Sequence, residues 1–243
     1  MPVYHQILNN RDKKQFAVLI DPDKYTIDSI VDTIMLANDS GVDFFLVGGS
    51  LLISDGLDRC ITSIKENTDI PVILFPGSTM QINKKADAIL FLSLISGRNP
   101  DLLIGNHVIA APYIKQTSLE AISTGYMIID SGKATTASYM SQSFPIPYDK
   151  DEIAVCTALA GEMLGLKMIY LDGGSGADTT ISPGMVESVK KNIAVPLVVG
   201  GGIRSAESAS EICRAGADLI VVGNAIEDNR DMIPEIAKAL RKL

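Results

Sequence analysis

Histidine and cysteine are scarce in this chain. Its 243 residues hold two of the first, His5 and His107, and three of the second, Cys60, Cys156 and Cys213. The cysteines lie far apart with no C-x-x-C pair, which argues against a zinc site of conventional spacing. Apolar, helical-looking sequence brackets each one, so each is expected to be a small core hydrophobe. A Ser-His or Cys-His nucleophile would have to rest on His107, and no nucleophile-elbow pattern accompanies it. Catalysis must therefore draw on carboxylates, backbone amides or a metal. Long apolar runs are also missing. The most continuous, Ala88 to Ile95, is interrupted by Ser93 and falls far short of the roughly 18 residues a membrane span needs. A basic surplus is absent too, since 21 Lys and Arg face 29 Asp and Glu for a net charge of −8. That balance disfavours a general nucleic-acid or anionic-membrane surface, so any anionic ligand must be held locally. The N-terminal MPVYHQILNNRDKKQ lacks an apolar core followed by a small-residue cleavage site, and a cytoplasmic location is expected.

What is present is a sequence 47% apolar with 20 glycines, the profile of one packed domain over residues 1–243. Apolar, largely β-branched runs recur at Phe16–Asp21, Asp43–Val47, Pro71–Phe75, Asp87–Leu92, Tyr126–Asp130, Met168–Asp172, Pro196–Gly200 and Asp218–Val222. Amphipathic stretches such as Ile27–Asn38, Asp151–Leu164 and Ala206–Arg214 lie between them. Apolar strands alternating with helices imply a parallel sheet covered on its outside, and eight such units fit an α/β fold of the (β/α)8 TIM-barrel type. A doubly wound open sheet is the alternative. Gly41-Val-Asp-Phe-Phe-Leu-Val-Gly48 reads like Gly216-Ala-Asp-Leu-Ile-Val-Val-Gly223, a glycine capping a helix before a strand in each. Only Pro76–Ala86 separates the third and fourth runs. A crossover helix hardly fits there, so the spacing predicts a barrel with that helix missing or reduced. His107–Ile114 is apolar enough to be an additional strand.

In such a barrel the active site gathers at the carboxyl ends of the strands. Gly200-Gly201-Gly202, with Ser205 placed to cap the next helix, and Gly223-Asn224 supply what a phosphate site after strands seven and eight requires. Asp172-Gly173-Gly174-Ser175-Gly176 suggests backbone wrapped around a polar small molecule, or else a mobile loop with a capping Asp. Asp21-Pro22-Asp23-Lys24, with Ser50 beside it, offers hard oxygen ligands suited to Mg2+. The plain alternative is an Asp-Pro turn with a surface ion pair.

Several motifs, in order, then define a resemblance over essentially the whole chain. They are Leu19-Ile-Asp-Pro-Asp-Lys24, Val47-Gly-Gly-Ser50, Pro71-Val-Ile-Leu-Phe-Pro-Gly-Ser78, Ser96-Gly-Arg-Asn-Pro100, Pro145-Ile-Pro147, Tyr170-Leu-Asp-Gly-Gly-Ser-Gly176, Gly200-Gly-Gly-Ile-Arg204 and Val222-Gly-Asn224. The sequence resembles the geranylgeranylglyceryl phosphate synthase family, which includes the bacterial PcrB-like heptaprenylglyceryl phosphate synthases. The resemblance implies a barrel lacking one helix and a prenyltransferase that joins a polyprenyl diphosphate, geranylgeranyl or the longer heptaprenyl, to the 3-hydroxyl of sn-glycerol 1-phosphate. It implies that Tyr170, Leu171, Asp172, Gly173, Gly174, Ser175, Gly176, Gly201, Gly202, Gly223 and Asn224 hold glycerol 1-phosphate, and that Asp21 and Ser50 bind Mg2+. One position departs, because the family commonly has Glu where this chain has Asp172.

The mechanism expected from this reading has Mg2+, Lys24 and Arg98 neutralising the diphosphate as it leaves, while Asp172 orients the glycerol hydroxyl as the catalytic residue. The prenyl chain would run down the outside of the barrel through the gap left by the absent helix. A homodimer or larger assembly is expected. Three rivals remain. A sugar-phosphate isomerase would use Asp21 and Asp130 as acid and base after strands one and five. A Schiff-base aldolase would need Lys167, which precedes strand six and so falls at the wrong end. The third is a phosphate-binding regulator without chemistry.

Overall fold

A computed structural model of the chain describes residues 1–243. Eight parallel strands close into a barrel in sequence order: β1 (Gln15–Ile20), β2 (Phe44–Val47), β3 (Val72–Leu74), β4 (Ala88–Leu94), β5 (Glu120–Ile128), β6 (Met168–Asp172), β7 (Leu197–Gly200) and β8 (Leu219–Val222), with β8 pairing back on β1. Ten helices accompany them: α1 (Val3–Asn9), α2 (Ile27–Ser40), α3 (Leu57–Asn67), α4 (Asn106–Lys115), α5 (Thr136–Ser141), α6 (Asp151–Met163), α7 (Pro183–Asn192), α8 (Ala206–Ala215), α9 (Asn224–Asp228) and α10 (Met232–Leu240). No helix is long and apolar enough to cross a membrane.

Alternation along each strand divides the apolar residues into two cores. Ala17, Phe44, Leu46, Leu90, Ile122, Tyr170 and Val198 fill the barrel, and α1 closes its lower end with Val3 and Ile7. Val18, Phe45, Ile89, Leu171, Val199 and Ile220 point outward into a larger core beneath the helices. Local signals start and stop the helices as their chemistry requires. Thr26 caps α2 by accepting from Ser29 N–H, and Gly41 ends it at φ 67°. Ser205 and Ser208 form a reciprocal capping box at α8, and Gly216 N–H bonds the last carbonyls of that helix.

The short third crossover holds one 3-10 turn, Thr79–Gln81, and no α-helix. Two sequence expectations need correction. β5 starts at Glu120 rather than Tyr126 and ends at Ile128, so Asp130 lies beyond the strand. His107–Ile114 is helical, not a strand: a π-helical turn at Asp101–Gly105 leads into α4, which buries His107, Ala110 and Ile114 at helical spacing. The helix lies antiparallel to β4, since it descends from the carboxyl end of β4 to the start of β5. Cys60 and Cys213 are buried as expected, while Cys156 is exposed on α6.

Candidate active site

One cavity of about 590 Å3 opens at the carboxyl ends of the strands. It has a glycine-rich polar end, a carboxylate end beside β1, a buried centre and an apolar arm.

The polar end is built from the loops after β6, β7 and β8, where Gly174, Ser175, Gly201, Gly202, Gly223 and Asn224 line the cavity. Gly201 sits at φ 81°, and a Cβ there would stand 2.6 Å from Gly173 N and 2.8 Å from Asp172 Oδ1. Only glycine fits. The Asn224 side chain ties two of these loops together, as its Oδ1 accepts from Gly176 N–H at 2.9 Å and its Nδ2 donates to Glu227 Oε2 at 3.0 Å. Arg204 also lines this cavity and donates to the Ala177 carbonyl at 2.9 Å. Its guanidinium supplies positive charge close to the glycine loops, a contribution that the glycine pattern alone did not single out.

The floor is Asp172, buried at 6% exposure. Tyr126 Oη donates to Asp172 Oδ2 at 2.5 Å, and Gly174 N–H donates to Oδ1 at 2.8 Å. Burial pushes the Asp172 pKa above the usual carboxylate range, against the opposing pull of these two donors. Tyr126, Tyr170 and Phe75 pack around it. Phe75 stacks on Tyr170 with centroids 5.3 Å apart, and Tyr126 meets both rings edge-on. Tyr170 has room because residue 200 is glycine: a Cβ there would stand 2.5 Å from its hydroxyl.

At the carboxylate end Asp21, Ser50, Lys24 and Glu227 share the cavity wall. Lys24 Nζ lies 2.8 Å from Glu227 Oε2 and 3.9 Å from Asp21 Oδ2. Desolvation raises the Asp21 pKa, with the Asp23 N–H and Lys24 opposing. Asp23 holds the chain in place instead. Its carboxylate accepts from Ile53 N–H at 2.7 Å, Ser54 N–H at 3.1 Å and the Ser54 hydroxyl, pinning the loop after β2. No group of three or more His, Cys, Asp or Glu could cage a metal. The residues do fit Mg2+, which takes one or two protein carboxylates and completes its shell with phosphate oxygens and water. Asp21 Oδ2 faces the backbone at Gly49, immediately before Ser50, where a Cβ would stand 3.3 Å away.

The apolar arm uses the gap at the missing helix. Ile82, Ile89, Phe91, Ala110 and Ile114 line it between β4 and α4. His107 lies in its wall, 3.4 Å from Ser93 Oγ through Nε2, while its Nδ1 is buried without a partner. No carboxylate orients this pair and burial lowers the His107 pKa, so it lacks the third member of a nucleophilic triad.

Not every expected site residue arrives here. Leu171 points outward into the core beneath the helices, and Gly173 and Gly176 shape the loop without lining the cavity. Arg98 is exposed outside it, its guanidinium donating to the Ile95 and Gly97 carbonyls at 3.2 and 2.7 Å. Asp130 is exposed and outside the cavity, so the acid-base pair of the isomerase reading does not form. Lys167 lies over the Tyr4 ring, 5.3 Å from its centroid, at the amino end of the barrel, which removes the aldolase reading. Tyr126 escapes a reading of the sequence because a sequence does not give register; it pairs with Tyr170 across β5 and β6, and both face inward.

A closed barrel with a glycine-rich polar end, a buried carboxylate and an apolar arm forms one cavity able to hold a polar group and an apolar chain together. Residues 5–240 match the PcrB family. The chain is 52% identical over 240 residues to a geranylgeranylglyceryl phosphate synthase of Chitinophaga pinensis, covering 98% of this chain and 95% of that protein. It is 43% identical over 232 residues to one of Pyrococcus furiosus, covering 95% and 91%. The solved (S)-3-O-geranylgeranylglyceryl phosphate synthase of Thermoplasma acidophilum, in complex with its substrate sn-glycerol-1-phosphate, superposes with a TM-score of 0.95 at 33% identity, covering all of both chains. A tryptophan synthase alpha chain of Legionella pneumophila, at 13% identity and a TM-score of 0.64, shares the fold alone. The chain belongs to the PcrB family and is a prenyltransferase.

Proposed function

We propose that this chain transfers a polyprenyl group, geranylgeranyl or the longer heptaprenyl, from its diphosphate to the 3-hydroxyl of sn-glycerol 1-phosphate in a Mg2+-dependent reaction. The observation that carries the reading is the continuity of one cavity from Gly201 and Asn224, past Asp172 and Asp21, to Ile89 and Ala110. Glycerol phosphate would place its phosphate against the glycine loops and its hydroxyl toward Asp172. The prenyl chain would lie in the apolar arm with its diphosphate near Asp21, Ser50 and Lys24.

In the reaction the allylic carbon–oxygen bond breaks and diphosphate leaves with the electron pair. The glycerol oxygen forms the new ether bond, and its proton passes to Asp172 and then to solvent. Since the carbon becomes cationic, alignment matters more than a strong nucleophile. Mg2+ held by Asp21 and Ser50 would neutralise charge developing on the diphosphate. Lys24 adds a second positive charge there. A homodimer or larger assembly is supported by the exposed Val108, Ile109 and Tyr113 on α4, and sedimentation velocity measures it. Incubating the chain with labelled sn-glycerol 1-phosphate and either diphosphate, with Mg2+ or with chelator, tests the function. A Mg2+-dependent extractable lipid is expected; no labelled lipid from either donor overturns the reading.

A further inference from the structure

We propose that Tyr126 is a positioning residue for this reaction: its hydroxyl fixes the plane of the Asp172 carboxylate so that a free lone pair meets the glycerol 3-hydroxyl. The inference rests on the function proposed above and assigns a residue that reading does not use.

The geometry is specific. Asp172 ends β6. Two donors hold it from opposite sides, the Gly174 amide on Oδ1 at 2.8 Å and the Tyr126 hydroxyl on Oδ2 at 2.5 Å. The first comes from Asp172's own loop. The second crosses from β5, and Tyr126 has its own support from the edge-on contacts with Phe75 at 5.8 Å and Tyr170 at 5.6 Å. A carboxylate with one local donor can still turn about its terminal torsion, which is broad for Asp. A second donor anchored on a different strand removes that freedom. Charge-assisted O–H···O− bonds are short and strong, and each carboxylate oxygen keeps another lone pair for substrate. Tyr126 stays protonated throughout: burial, and then the neighbouring Asp172 charge, push its pKa well up. It donates but does not relay.

The titratable groups facing Asp172 are Tyr126 from β5 and Tyr170 from its own strand, while β7 brings Gly200 opposite it. The bond from Tyr126 lowers an Asp172 pKa that burial has raised. Its loss therefore moves the carboxylate's titration to higher pH.

The test is Tyr126→Phe, which keeps the ring and removes one oxygen. We expect kcat to fall about 100-fold, as a small misplacement of a reacting group does, with KM for glycerol 1-phosphate changed by less than about threefold. The acid limb of the kcat profile should move to higher pH. In an Asp172→Asn background Tyr126→Phe should add less than about twofold, because its effect runs through the carboxylate. Unchanged kcat with an unmoved acid limb, or an undiminished effect in that background, overturns the assignment. Carboxyl 13C NMR of aspartate-labelled full-length chain, with the Asp172 signal identified by its loss in Asp172→Asn, follows the titration without any prenyl donor. Should wild type make no lipid while Tyr126→Phe still moves that signal upward in pH, the proposed function fails and the bond stands; a signal that does not move overturns the inference. If Tyr126→Phe does not fold, the Tyr126 hydroxyl proton of wild type decides: a downfield, slowly exchanging hydroxyl resonance whose shift changes in Asp172→Asn is expected, and its absence overturns the inference.

Discussion

The Lys24 ammonium is held by Glu227 at 2.8 Å and stands off Asp21 by 3.9 Å. A helix that starts after β8 thus keeps a cation from closing on the carboxylate that follows β1. Glu227 adds negative charge near Asp21 and raises its pKa, while its second tie, to Asn224 Nδ2, links this end of the cavity to the glycine end.

Glu227→Gln should therefore weaken Mg2+ use. Removing that charge frees Lys24 to pair with Asp21, so a dication must compete with an ammonium for the same oxygen. The Mg2+ concentration giving half-maximal turnover should rise by about fivefold, the size of roughly 1 kcal/mol in an electrostatic pair. A Mg2+ titration of the rate measures it. An unchanged midpoint would show that Lys24 stays away from Asp21 for another reason.

Asp172→Asn should lower kcat by about 100- to 10,000-fold. The same change should raise the melting temperature at neutral pH. The sign follows from burial: the folded-state pKa of Asp172 lies above its unfolded value, so between the two values the folded chain binds more proton and stability falls as pH rises. Above that window wild type carries the full penalty, and below it none. Melting curves of both chains from neutral to acid pH should converge as pH falls. A variant less stable at neutral pH, or one with wild-type turnover, contradicts the assigned role.

Legibility in the sequence followed the range of each signal. The strand cores, the Gly41 and Gly216 caps and the Ser205 cap rest on neighbours a few residues apart, and all are found where expected. The gap between β3 and β4 could be read from length alone. Ser123, Thr124 and Gly125 interrupt the apolar run of β5 and hide its first half; the barrel buries Thr124 fully and turns its hydroxyl back onto the Ile122 carbonyl at 2.9 Å. α4 resembled a strand because it is apolar and carries Pro112 inside it. Tyr126 and Arg204 reach the site through register and loop folding, neither of which a local pattern encodes. Arg98 stands outside the cavity for a similar reason, as its motif fixes a turn but not the direction of the side chain.

Gly201→Ala should separate binding from strain when compared with Gly176→Ala. Both glycines have φ near 80°, yet a Cβ at 176 meets nothing within 4 Å whereas one at 201 strikes Gly173 N at 2.6 Å. The first change costs about 1 kcal/mol of backbone strain, a drop of about 2–4 °C in Tm, with little effect on substrate. The second adds displacement of the phosphate-end loops, and KM for glycerol 1-phosphate should rise by more than about tenfold. Equal KM values in the two variants would remove Gly201 from the phosphate site.

The apolar arm predicts a length-dependent phenotype. Ala110 faces it from α4, one turn before Ile114 and across from Ile89 on β4. An indole there would fill the lower part of the arm without touching Asp172 or the glycine loops. Ala110→Trp should thus leave Mg2+ dependence and KM for glycerol 1-phosphate unchanged and shift preference toward shorter donors. Rejecting a tail that no longer fits loses burial of about 0.8 kcal/mol per excluded methylene, so several excluded carbons suffice for a preference of more than about 100-fold in kcat/KM. Competition between geranyl and heptaprenyl diphosphate, read by chromatography of the lipid products, measures the shift. An unchanged product ratio would mean that the prenyl chain leaves the barrel by another route, and that the gap between β3 and β4 serves only to let α4 cross.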